Sequence, residues 1–170
     1  MAPFSEGDRD RLDWQLLQNG AVTLYFQSAI LEGDLAWLRD HGYRIETIDC
    51  HDLTAFYRQV SLALNFKEQF GYDGWTGNLD ALNDALRHPE VDPQSGLIFC
   101  FLRYDLIRTA SPELADGVLD MIERNSRDYL LYGRRLLALV QSDDPRIQFH
   151  SLGARSANWS RREWFNKDRV

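Results

Sequence analysis

The side chains best placed to do chemistry are two aspartates, Asp80 and Asp84, within NLDALNDALR, residues 78–87. Carboxylates at i and i+4 on a helix share a face. They can receive charge-assisted bonds from a partner's cations, work as an acid/base pair, or hold a divalent metal. A metal needs a third ligand, and the spacing supplies none. At 100° per residue, Leu79, Leu82 and Leu86 make one narrow apolar stripe, and Asp80, Asp84 and Arg87 lie roughly 100–140° away from it. The carboxylate face is therefore solvent-exposed if the leucines point inward. The pair repels, which costs an isolated helix about 0.2–0.5 kcal/mol. Asn78 stands at the N-cap position, and the helix dipole favours a negative Asp80 in the first turn. That help fades toward Asp84, so helix stability accounts for it less well. The plainer alternative is a pair of ordinary solvated carboxylates.

The stretch ahead of this helix, Phe66 to Gly77, weighs against the plainer alternative. Gly71, Gly74 and Gly77 recur every third residue, with Phe70, Tyr72 and Trp75 between them. Glycines allow turns that other residues resist. A loop of this kind buries some rings in the core and leaves at least one as a contact residue. Tyr and Trp beside carboxylates suit a protein-binding surface. The candidate contact set is Tyr72, Asp73, Trp75, Gly77, Asn78, Asp80, Asn83 and Asp84.

Composition narrows the partner. The chain has 170 residues, 44% hydrophobic, with a formal net charge of −7. One domain spanning 1–170 with a sizeable core is expected. Phosphate binding needs clustered Lys and Arg, so nucleic acid is not expected, and the charge suits a basic protein instead. Cys50 and Cys100 lie in apolar segments without a CxxC or zinc pattern, as buried thiols of a reducing compartment do. No basic leader with an apolar run opens the chain, and no apolar stretch approaches the ~20 residues of a membrane span. The expected location is the cytoplasm. His41, His51, His88 and His150 are scattered. Cys50 and His51 are strand neighbours and point to opposite faces, which disfavours a catalytic pair. GYDGWTG lacks the GxxxxGK[ST] order of a phosphate loop. We expect no catalytic residue, metal, cofactor or small-molecule substrate.

The elements that must position the aspartates alternate between strand and helix. Asp8 to Gln18 reads as a helix stopped at Asn19-Gly20, and Ala21 to Gln27 as a strand. Ser28 can cap a helix through Asp40, and Tyr43 to Cys50 alternates as a strand. Asp52 caps a helix whose Leu53, Phe56, Tyr57, Val60 and Leu64 share a face. His88-Pro89 closes the aspartate helix, and Pro93, Ser95 and Gly96 form a turn. Leu97 to Arg103 is an apolar run expected centrally in the sheet, buried on both faces. Pro112 opens a helix to about Tyr129, and Leu136 to Val140 is a last buried strand. The fold class is α/β, a small mostly parallel sheet with helices packed on it. Asp143 to Val170 carries six Arg/Lys against four Asp/Glu, whereas Phe66 to Asp92 carries two against six. This basic tail either packs on the acidic stretch or extends into solvent.

Order and motif together resemble the barstar family of intracellular ribonuclease inhibitors. The resemblance is carried by Asn78, Leu79, Asp80, Ala81, Leu82, Asp84, Ala85 and Leu86, read as NLDALxDAL after an aromatic-glycine loop, and it spans about residues 43–141. Residues 1–42, with an added strand and helix, and the tail 142–170 lie outside it. The resemblance implies that the loop and the aspartate helix plug the active site of a basic ribonuclease. Asp84 matches the aspartate that occupies the substrate-phosphate site against Arg and His side chains. Asp80 matches a second contact, and Asn78 and Trp75 lie in the binding segment. The alternative is a protein-binding module of the same fold with a non-nuclease partner. The chain departs from the family in a longer loop between Gly71 and Asn78, and in Asn83 where an aromatic is frequent. A family acidic contact in the later helix aligns near Glu123 or Arg124, and the ends are extended.

Overall fold

The computed structural model describes residues 2–87 and 96–165. The expected helix stop at His88-Pro89, and the turn residues Pro93 and Ser95, lie outside them. In chain order the elements are α1 (Leu12–Leu17), β1 (Val22–Tyr25), α2 (Ser28–Asp40), β2 (Arg44–Asp49), α3 (Leu53–Ala63), α4 (Phe66–Phe70) and α5 (Leu79–Arg87). There follow β3 (Gly96–Leu102), α6 (Tyr104–Ala110), α7 (Pro112–Leu131), β4 (Arg135–Gln141) and β5 (Asn158–Trp159). Five strands form one parallel sheet in the order β2-β3-β4-β1-β5. The α/β expectation holds, with every pairing parallel.

Side chains alternate across this sheet as the period of two requires. Leu97, Phe99 and Phe101 of β3, with Leu136, Ala138 and Val140 of β4, face a core closed by α3, α5, α6 and α7. Ile98, Cys100, Leu137 and Leu139 face the opposite layer, closed by α2 and the leucines of α1. β3 and β4 are interior strands, buried on both faces as their apolar runs require.

Four local expectations are corrected. The first helix shrinks to α1, preceded by a 3-10 turn at Glu6–Asp8. Ser28 does not cap α2 but begins it, and the position before it is Gln27, without a capping bond. The N–H groups of Phe26 and Gln27 are taken instead by the Glu163 carboxylate, each at 2.9 Å. Part of the stretch read as loop is α4, a single turn that follows a left-handed Asn65. α6 leaves β3 directly after Arg103, also left-handed at φ 58°, and a seven-residue helix is too short to declare itself by periodicity.

The described part of the tail, to residue 165, packs away from the described part of the acidic stretch, to residue 87. β5 adds to β1 at Thr23 and Leu24, and Ile147 and Leu152 are buried. One stripe of α7 holds the added segments by their backbone. Asp116 accepts from His150 N at 3.3 Å, Asp120 from Gly153 N at 2.7 Å, and Glu123 from Ala21 N at 2.5 Å. The opposite stripe of α7 carries α5. Leu79 packs where Gly117 leaves room, since a Cβ there would run into it, and Tyr129 donates to Leu86 O at 2.7 Å.

Candidate protein-binding site

The site begins at α3, which Asp52 caps by accepting from Ala55 N at 2.8 Å. Ser61, on that helix, donates to Tyr57 O and accepts from Trp75 N, both at 2.7 Å. Trp75 is 2% exposed, and its ring meets those of Phe56 and Tyr57 edge-on. Its indole N–H donates to Asn78 O at 2.6 Å. Trp75 was expected among the contact residues. Its side chain is instead a pillar beneath the loop, because a large ring with its one donor satisfied is most stable in the core. Gly77 has φ 98°, and its Cα passes close over the Tyr57 ring, so it also positions the loop.

Asn78 is the N-cap. Its Oδ1 accepts from Asp80 N at 2.9 Å and Ala81 N at 3.1 Å. Leu82, Ala85 and Leu86 are buried and Leu79 half-buried, leaving Asp80, Asp84 and Arg87 in solvent as the stripe geometry requires. The Asp84 side chain is 62% exposed, and Arg87 Nη1 lies 3.9 Å from its Oδ1. Asn83, expected at the contact surface, is half-buried and accepts from Asn125 of α7 at 2.8 Å. It fixes the roll of α5 on α7. Tyr72 and Asp73 are exposed, Asp73 standing 3.5 Å from Lys67 Nζ.

The sequence-derived set thus divides by position. Tyr72, Asp73, Asp80 and Asp84 present side chains to solvent. Trp75, Gly77 and Asn83 hold the backbone that presents them, and Asn78, itself exposed, caps α5. Neither Glu123 nor Arg124 joins this face. Glu123 is buried against Ala21, and Arg124 pairs with Asp120 at 2.8 Å. Leu62, which the sequence did not single out, and Phe70, named among the loop rings but not in the contact set, stand exposed beside the loop. The i, i+4 spacing of Phe66 and Phe70 was the available signal for α4 and for the direction of these rings.

The other clusters of reactive types do not assemble a site. At the end of β2, Asp49 accepts from Arg103 at 2.5 and 3.2 Å, and this bonding holds its carboxyl below the usual range. His51 stands 3.6 Å from Asp49 and 3.1 Å from Asp52. Cys50 points into the core, where burial pushes its thiol far up. Among the described residues, no group of three or more His, Cys, Asp or Glu is arranged to hold a metal. None of their helices is long and apolar enough to cross a membrane.

A family model described as Barstar (barnase inhibitor) matches residues 41–141, more than half of the chain. The chain belongs to the barstar family. The matched span runs from just before β2 through β4 and contains α5 and its loop. It leaves α1, β1, α2 and β5 outside. The barstar family is one of inhibitors rather than enzymes, and its description implies a protein partner, a barnase-like ribonuclease. Searches of the curated proteins and of the solved structures return no match.

Proposed function

We propose that this chain is an inhibitor that occupies the active site of a basic ribonuclease with α5 and the loop from Gly71 to Gly77. The observation that carries the reading is the exposed pair Asp80 and Asp84 on a helix whose entry is fixed. The loop is tied at Ser61 and Asn78 by both nitrogens of Trp75 and closed over Tyr57 at Gly77. A surface ordered before binding loses little entropy on binding. Carboxylates on it can take the places of substrate phosphates against Arg and His, with short charge-assisted bonds. In this reading Asp84 and Asp80 are the anionic contacts, and Tyr72 and Asp73 extend them. The protein carries no chemistry of its own and uses no cofactor, metal, nucleic acid, membrane or small-molecule substrate. It acts in the cytoplasm, and residues 1–170 make one domain.

A second reading, a barstar-fold module for a non-nuclease protein, is favoured by one observation. The buried Trp75 cannot offer its ring to a partner, so the contact set differs from the one the family resemblance implied.

Inhibition of barnase by the wild-type protein, and of any ribonuclease that it retains from extracts of its own cells, tests the proposal. Asp84→Ala is expected to weaken inhibition by about 2–5 kcal/mol, as loss of one partner of a desolvated charge pair does. Asp10→Ala, at an exposed position away from the site, is expected to leave it unchanged. Equal effects of the two would overturn the mimicry.

A further inference from the structure

Six large hydrophobic side chains among the described residues are exposed, and three of them are neighbours. Leu62 of α3 is 69% exposed, Tyr72 is 44% and Phe70 of α4 is 37%. Phe70 and Tyr72 stack at 5.7 Å between centroids, and both rest on Phe66, which is buried. Leu62 and Tyr72 line a cleft of about 490 Å³ together with Ser61, Gly74 and Trp75. Exposed apolar side chains scattered singly need no explanation, whereas a contiguous and rigid group marks a contact surface. This group is tied at both ends. Phe66 supports the ring stack, and the Ser61 hydroxyl holds the backbone of Trp75.

We infer that this ledge and its cleft are a second contact patch of the inhibitory surface, covered by the same basic ribonuclease and filled by one of its apolar side chains. The inference rests on the inhibitor reading and deepens it. Two observations commit the ledge to that occupant. The first is continuity. The cleft lining at Trp75 and Thr76 continues along the chain through Gly77 and Asn78 into α5, so a protein seated on Asp80 reaches the cleft. The second is charge. Around the ledge Glu68 and Asp73 are balanced by Arg58 and Lys67, the last 3.5 Å from Asp73, so an uncharged, apolar side chain suits the cleft while Asp80 and Asp84 supply the attraction for the basic partner. An apolar knob on a cationic surface fits both, and interface hot spots are built from such desolvated centres with charged rims.

Binding of inactivated barnase, and of a ribonuclease captured from the source cells and identified by activity gel, would be measured for five proteins. These are wild type, Leu62→Ser, Tyr72→Ser, Asp80→Ala/Asp84→Ala, and Leu131→Ser as an exposed apolar control elsewhere. Melting temperature establishes that each variant is folded, and Leu62→Lys repeats the test with a charge. The expected result is a loss of about tenfold or more in affinity for each ledge variant, an effect of ordinary hot-spot size. The control should bind as wild type does. The salt dependence of binding should be unchanged in the ledge variants and reduced in the aspartate variant. Wild-type affinity in the ledge variants, with binding lost in the aspartate variant, overturns the ledge and keeps the inhibitor reading. No ribonuclease binding by wild type overturns both. A wild-type dimer that the ledge substitutions abolish and ribonuclease does not compete with assigns the patch to a second copy, and overturns the inference.

Discussion

Arg87 stands one turn beyond Asp84 and 3.9 Å from its carboxylate, with both side chains mostly in solvent. In the proposed reading it is an internal competitor for the anion that a basic partner needs. Exposed pairs of this kind contribute little to stability, so Arg87→Ala should leave melting unchanged and raise ribonuclease affinity by up to about 1 kcal/mol, chiefly through faster association at low salt. Stopped-flow association rates at two ionic strengths check this, and a slower rate counts against it. Trp75 is the opposite case, a residue of the binding segment with a structural duty. Trp75→Ala should destabilise the protein by about 3–5 kcal/mol, the usual cost of removing a buried aromatic, measured by urea unfolding. Asp13 is another buried group with a defined charge state. Burial pushes its carboxyl up, but bonds from Arg11, at 3.0 and 2.7 Å, and from Tyr43, at 2.6 Å, outweigh burial and hold it below the usual range. A lowered folded value means that this contribution is present above the unfolded value, about 3.9, and is lost as pH falls through the folded one. Unfolding free energy should therefore drop on acidification below about pH 4, and drop less in Asp13→Asn.

At the scale of elements, legibility followed the strength of the local pattern. The apolar runs of β3 and β4 and the leucine stripe of α5 were readable because burial imposes them residue by residue. α4 and α6 were not, because a helix of one or two turns has too few positions to show a period. The start of α2 was misread for a different reason. Ser28 is a good cap by type, but the carboxylate that serves the chain there comes from Glu163, far away in sequence. No local rule finds a partner at that separation. Of the site, the exposed aspartates and the Asn78 cap were legible from spacing. The burial of Trp75 was not, because it depends on Ser61 and Tyr57 of another helix. Glu163→Ala leaves two backbone donors unpaired, which costs about 1–3 kcal/mol when such groups are buried. Hydrogen exchange should show faster exchange at Phe26 and Gln27 with the α3–α5 layer unaffected, and uniform loss would contradict a local clasp.

Across the whole molecule, the added segments and α5, which carries the proposed binding face, lie on different sides of α7. The stripe of Asp116, Asp120 and Glu123 faces the extensions, and the stripe of Gly117, Asn125 and Tyr129 faces α5. Deleting residues 143–170 should open the β1 edge that β5 covers, lower the melting temperature and promote self-association, read by light scattering. Ribonuclease binding by whatever remains folded should persist. The two cysteines give this layered build an unplanned use. Cys50 belongs to the core on one face of the sheet and Cys100 to the core on the other, both fully covered and unpaired. Burial raises the Cys100 thiol to about 12 and Cys50 also far up, so neither reacts until its own layer parts. A thiol reagent added to the native protein is thus a two-channel clock. The site labelled first names the side from which the protein comes apart, and a bound ribonuclease should slow the Cys50 channel while leaving that of Cys100 running.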